Sequence, residues 1–330
     1  MVAAAVLGAL VSLRAVLGFA AALGAAAPAH ADLFYLIVGG LGGEAEYQKQ
    51  FDDDVAALAG VARRTTSATN VVVLNGEGAT REALVKSLGS LRTRVKAADS
   101  LAVMLVGHGS FDGELYKLNL PGPDIDGDEL GKLLAAVPAR SQLVVNATSG
   151  SGAILEKWAG DGRTLITATR SGFERNATRF AKHWAAALAN GSADINKNGV
   201  ITAQEAFDYA SREVADSFEK EGTLATEHPQ LAGGAAARFT VARLASAAPV
   251  AAAAATNLAV AALVTERDRL DGEIAALRER RESMANDAYL AELQRLLLEL
   301  ADVQGKIDAA APAAGQPSQE ALNGARERAP

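Results

Sequence analysis

Two apolar runs decide the fold: Leu-Ala-Val-Met-Leu-Val-Gly-His-Gly-Ser over 101–110, with His108 near its end, and Gln-Leu-Val-Val-Asn-Ala-Thr-Ser-Gly-Ser-Gly over 142–152, with Ser149 near its end. Runs of this length, bounded by glycine and by helical patterns, mark parallel strands buried on both faces. In an open α/β sheet, functional groups gather beyond the carboxyl ends of the strands. His108 and Ser149 fall there, so the two runs predict both a sheet and the place of its site.

Working outward, residues 33–38, 71–74 and 165–169 repeat the strand pattern. Between these strands, Tyr47, Phe51, Val55 and Leu58 recur at helical spacing, as do Leu84, Leu88, Leu91 and Val95 behind the N-cap candidate Thr80, and then Leu130, Leu133, Leu134 and Val137. Asp112-Gly113 and Pro121-Gly122 punctuate a β-hairpin after His108. Alternating strands and helices specify a three-layer αβα sandwich around a mainly parallel sheet.

Composition narrows the function. Across 330 residues the formal charge is −7 and no lysine/arginine cluster stands out, which argues against a nucleic-acid partner. Gly39-Gly40-Leu41-Gly42-Gly43 lacks both the G-x-G-x-x-G spacing and a Walker lysine, so the glycines indicate a close strand-to-helix turn and no nucleotide. The chain contains no cysteine, which removes disulfides, thiolate metal sites and a cysteine nucleophile together.

Residues 1–31 have the order of a secretory signal: Arg14, an apolar run over 15–27, and Ala29-His30-Ala31 as an A-x-A exit, with cleavage before Asp32. The alternative is an uncleaved membrane anchor, although the run is shorter than the ~20 residues a span needs. Both readings export the protein, to a periplasm or outside the cell.

Over about residues 33–231 the chain resembles the caspase and legumain superfamily of peptidases. His108-Gly109-Ser110 matches the His-Gly motif at one strand end, and Ser149-Gly150-Ser151-Gly152 matches the Cys-x-Ser-Gly motif at the next, with serine in place of cysteine. A legumain-type alignment puts Thr148 at the nucleophile position instead. The resemblance implies a caspase-like sheet, and it places Arg170 and Ser171, at the end of the fifth strand, near the substrate pocket. A thiol has a pKa of ~8.5 and offers some thiolate at neutral pH, whereas a serine hydroxyl needs a hydrogen-bonded and oriented base. No third residue that would orient His108 is evident in the sequence. The expectation is a degenerate, binding-only cleft for a protein or peptide ligand; the alternative is a hydrolase using Ser149 and His108.

Asp194 to Glu205 fits a twelve-residue EF-hand loop. Asp194, Asn196 and Asn198 take positions one, three and five, Gly199 six, the Val200 carbonyl seven, Thr202 nine and Glu205 twelve. Helical patterns flank the loop, from about residue 176 to 190 and on to about Lys220. Two formal carboxylates imply weak, structural Ca²⁺ binding, on the order of 10⁻⁴ to 10⁻³ M. A metal-free helix-turn-helix is the alternative.

The domain formed by residues 32–245 exits through an Ala/Pro-rich linker over 246–257. Leu263, Leu270, Leu277 and Met284 then repeat every seven residues, and Leu293, Leu297, Leu300 and Ile307 follow after a break near Asn286. This pattern predicts a C-terminal coiled-coil hairpin over 258–309, available for self-association or for a scaffold role in the envelope. Residues 310–330 have the composition of a disordered tail.

Overall fold

The computed structural model describes residues 31–311. The expected signal over 1–31 therefore lies outside the described residues up to His30, and the expected tail lies outside them from residue 312. The remainder is an α/β structure with helices on both faces of a six-stranded, mainly parallel sheet.

The chain runs β1 (Leu33–Gly39), α1 (Ala45–Thr65), β2 (Val71–Leu74), α2 (Arg81–Arg94) and β3 (Ser100–Val106). A small antiparallel sheet of β4 (Gly109–Phe111), β5 (Tyr116–Leu118) and β6 (Ile125–Asp126) follows, where the Asp-Gly and Pro-Gly pairs predict turns. Next come α3 (Gly127–Ala135), β7 (Ser141–Asn146), β8 (Arg163–Thr167), α4 (Phe180–Asn190), β9 (Val200–Thr202), α5 (Ala203–Glu221), β10 (Gln230–Ala232) and β11 (Thr240–Arg243). The sheet order is β10-β8-β7-β3-β1-β2, with β10 alone antiparallel.

Alternation along the strands explains the two cores. Tyr35, Ile37, Ala102, Met104 and Val106 face one side, where Phe51, Val55 and Leu58 of α1 pack with Trp184 and Leu188 of α4 and Val214 of α5. Phe34, Leu36, Val38, Leu101, Val103 and Leu105 face the other side, against Leu84, Leu88 and Leu91 of α2 and Leu130 and Leu134 of α3. With side chains alternating at period two and both faces covered, each strand must be apolar throughout. Burying one such leucine contributes about 1.5–3 kcal/mol.

Register aligns the strand ends. Gly39 stands beside Val106, Leu105 beside Asn146, and Asn146 beside Thr167. The loops carrying His108 and Ser149 therefore leave the sheet side by side.

Three helices follow β11: α6 (Ala248–Thr256), α7 (Leu258–Glu279) and α8 (Asn286–Ala310). The stretch expected as a linker is thus largely helical, with Pro249 in its first turn, a position where the missing N–H costs nothing. Leu270, Ile274 and Leu277 of α7 share a buried seam with Tyr289, Leu296, Val303 and Ile307 of α8.

Candidate functional site

At the end of β3 the chain turns through Gly107, whose φ of +145° favours glycine. An added Cβ there would stand 3.1 Å from the Gly40 backbone, so the glycines at the ends of β1 and β3 allow two loops to meet. His108 follows. Its ring lies edge-on to Tyr47, at 5.0 Å and 79°, and to Phe51, at 5.1 Å and 77°, both on α1. Its carbonyl accepts the Asn119 N–H at 3.1 Å. Among the described residues, the His108 ring has no hydrogen bond to a carboxylate or to Ser149.

The end of β7 holds a closed polar network. Buried Thr148 directs its hydroxyl to Asn146 Oδ1 at 2.8 Å and to the Ser149 carbonyl at 3.2 Å, and it meets the Tyr116 hydroxyl at 2.7 Å. Burial pushes the Tyr116 phenol up to about 12, so it stays protonated. Ser149 is 2% exposed, and Gly150 after it adopts φ +65° while donating its N–H to the Glu174 carbonyl at 2.8 Å. Gly109 joins this network to the histidine loop: a Cβ there would stand 2.5 Å from the Ser149 carbonyl oxygen and 2.6 Å from Thr148 Oγ1. The His-Gly and Thr-Ser segments are therefore in direct contact.

The rim follows β8. Ser151 meets the Thr169 hydroxyl at 3.2 Å, and the Gly152 N–H donates to the same hydroxyl at 2.8 Å, which pins the turn after Ser149 to the exit of β8. Exposed Arg170 pairs through Nε with Glu174 Oε1 at 3.0 Å. Ser171 accepts the Phe173 N–H on its hydroxyl at 3.3 Å and so shapes the turn. Glu174 also holds Nδ1 of His228 at 2.6 Å and its backbone N–H at 3.2 Å. Phe173, 67% exposed, stacks edge-on against Phe111 at 5.4 Å, with the Arg175 guanidinium 5.8 Å from its ring centroid. Glu174 and His228 escape sequence reasoning because His228 lies in the segment leading into β10, 54 residues after its partner.

A second candidate site is the loop 194–205. Asp194, nearly fully buried, accepts the N–H groups of Asn198 at 3.1 Å and Gly199 at 3.0 Å. Asn196 Oδ1 accepts the Asn198 N–H at 3.1 Å, and Asn198 Oδ1 accepts that of Val200 at 2.7 Å. Gly199 at φ +76° has no room for a side chain, since a Cβ would meet Ala247 at 2.8 Å. Thr202 and Glu205 form a capping box at the start of α5. Val200 and Ile201 pair with β11, which closes the open edge of the loop.

One feature here is invisible in the sequence. Asp271 of α7 reaches the loop and accepts Nδ2 of Asn198 at 3.2 Å and Nδ2 of Asn196 at 3.4 Å. Burial raises the pKa of both Glu205 and Asp271, and Asp194 and Asp271 add repulsion at Glu205. The donors are all oxygen, the type a hard cation takes. Among the described residues, no three His, Cys, Asp or Glu side chains stand close enough to hold a metal by themselves, so amide and backbone oxygens are essential to any such site.

No family model matches the chain. The curated proteins contain no match either. A crystal structure of a protein from Geobacter sulfurreducens is similar over 61% of this chain and 92% of its own, with a TM-score of 0.40 and 13% identity.

Proposed function

We propose that the protein is an exported binding module of caspase-like architecture, in which the surface formed by the β3, β7 and β8 loops receives a protein or peptide segment without cleaving it. The setting of His108 carries this reading. Its ring is held edge-on by two aromatic rings and is bonded to neither Ser149 nor a carboxylate. A serine nucleophile depends on such a bonded, oriented base. Thr148, the other nucleophile position, spends its hydroxyl on Asn146 and Tyr116. The exposed Phe173 ring with Arg175 beside it suits an occupant carrying an apolar and an acidic side chain.

The loop 194–205 binds Ca²⁺ in this proposal, through Asp194, Asn196, Asn198, the Val200 carbonyl, Thr202 and Glu205. Asp271 brings a third carboxylate beyond the two that the motif supplies. The helices α7 and α8 form the coiled-coil hairpin, and a scaffold role through them is favoured by Leu290, Leu297 and Leu298, which leave one stripe of α8 exposed.

A serine-directed phosphonate probe tests the central point. The expected result is no labelling and no cleavage of a peptide library. Labelling of Ser149 that disappears in His108→Ala overturns the proposal in favour of a Ser149/His108 hydrolase.

A further inference from the structure

Asp99 ends the turn before β3 and is 4% exposed. Its Oδ2 accepts the Lys96 N–H at 2.8 Å, and its Oδ1 accepts the backbone N–H of Asp32 at 3.0 Å. The Asp32 carbonyl in turn accepts the Ser100 N–H at 2.8 Å, so both polar backbone atoms of Asp32 are fixed against residues 99 and 100. Among the described residues, no lysine or arginine side chain pairs with Asp99. Two backbone N–H groups hold this carboxylate, and a full positive charge at either donor would turn a charge–dipole contact into an ion pair. Ala31 and Asp32 are exposed and line an open cavity of about 880 Å³ at the amino edge of the sheet, so the bond between them is accessible.

We infer that cleavage after Ala31 supplies the missing cation: the new α-ammonium of Asp32 pairs with the Asp99 carboxylate and locks the start of β1 to the start of β3. This rests on the proposed export of the protein. Hydrolysis of the Ala31–Asp32 peptide bond consumes one water, leaves a carboxylate on Ala31 and gives Asp32 the ammonium. The nitrogen already stands at ion-pair distance, so no rearrangement is required. The unprocessed chain offers only a neutral N–H at the same point, which makes processing a step that stabilises the fold.

The charged groups around the cavity are the Asp32 side chain, Asp161, Arg140, Arg163, Arg238 and Arg243. The α-amine created by cleavage is the one group that processing adds to this set. An amine paired with a carboxylate has its pKa raised above the ordinary ~8. The added stability is therefore complete below that value and is lost as pH rises through the raised one.

The test compares purified protein whose first residue is Asp32 with protein that retains Ala29-His30-Ala31 ahead of it. The Asp32 form is expected to unfold about 2–4 °C higher at pH 7, with the difference vanishing above pH 10 and absent in an Asp99→Asn pair. Equal midpoints at pH 7, or a difference that survives in Asp99→Asn, overturn the inference. If Asp99→Asn does not fold, the rate of acylation of the terminal amine across pH 7–10 decides: a raised midpoint supports the pair and an ordinary one overturns it. Mass spectrometry of the exported protein is read separately. A start other than Asp32 overturns the role of processing, whereas a start at Asp32 with no stability difference leaves export standing and removes the ion pair.

Discussion

Gly109 is small because the Ser149 carbonyl oxygen stands 2.5 Å from where its Cβ would be. That oxygen belongs to backbone and has little freedom to retreat, so Gly109→Ala is expected to destabilise the fold by about 1–3 kcal/mol in urea unfolding. It is also expected to separate the two cleft loops. Asp54 on α1 is a residue whose penalty depends on pH. It is buried with Oδ2 unpartnered, and desolvation raises its carboxyl from 3.8 to about 6, with Lys182 opposing and Asp53 reinforcing the shift. The folded state thus binds a proton more tightly than the unfolded one. Stability is highest below about pH 4 on this account and declines until about pH 6, by roughly 1–2 kcal/mol after allowance for solvent at its edge. Asp54→Asn is expected to remove that share of the decline, so that the unfolding free energy between pH 4 and pH 6.5 falls by roughly 1–2 kcal/mol less than in the unaltered protein, the rest belonging to other buried carboxyls such as Glu227.

At the scale of elements, the loop 194–205 is where three segments meet: the end of α4, the capping box of α5 and Asp271 of α7. Calcium at 10 mM is expected to stabilise the protein by about 1.4 kcal/mol if the dissociation constant is ~10⁻³ M. Glu205→Gln is expected to abolish binding in calorimetry, and Asp271→Asn to weaken it severalfold. An unchanged isotherm in Asp271→Asn would restrict the ligands to the motif itself. Much of this element structure was legible in the sequence. The strands stood out because a sheet covered on both faces needs unbroken apolar runs, and Thr80 caps α2 where expected, accepting the Ala83 N–H at 3.2 Å. The start of α4 was not legible. Its first N–H groups, on Arg179 and Phe180, are capped by Glu227 at 2.7 and 2.9 Å from far along the chain, and burial pushes that carboxyl up to about 7. Pro249 and the alanine run suggest a linker over 246–257, yet alanine is the best helix former and proline is tolerated in a first turn, and most of the stretch is α6.

At the scale of the molecule, the exposed stripe of α8 is the feature that bears on assembly. Full-length protein is expected to show a concentration-dependent increase in mass by light scattering, and Leu298→Glu to remove it; a constant monomeric mass in both would discard self-association through this face. The same scale accounts for what sequence reasoning could place in the cleft. His108 and Ser149 were legible because each closes an apolar run, whereas Glu174 and His228 become partners only when β10 returns along the sheet edge. The reversal of β10 has one more effect. Because it descends antiparallel to β8, it carries the chain from the cleft to the opposite edge, where β11 meets the end of α1 through the Arg243 N–H and the Thr65 hydroxyl. The cleft and the loop 194–205 therefore lie at opposite poles of the sheet. A peptide at the one pole and a cation at the other, as proposed, would not compete for space.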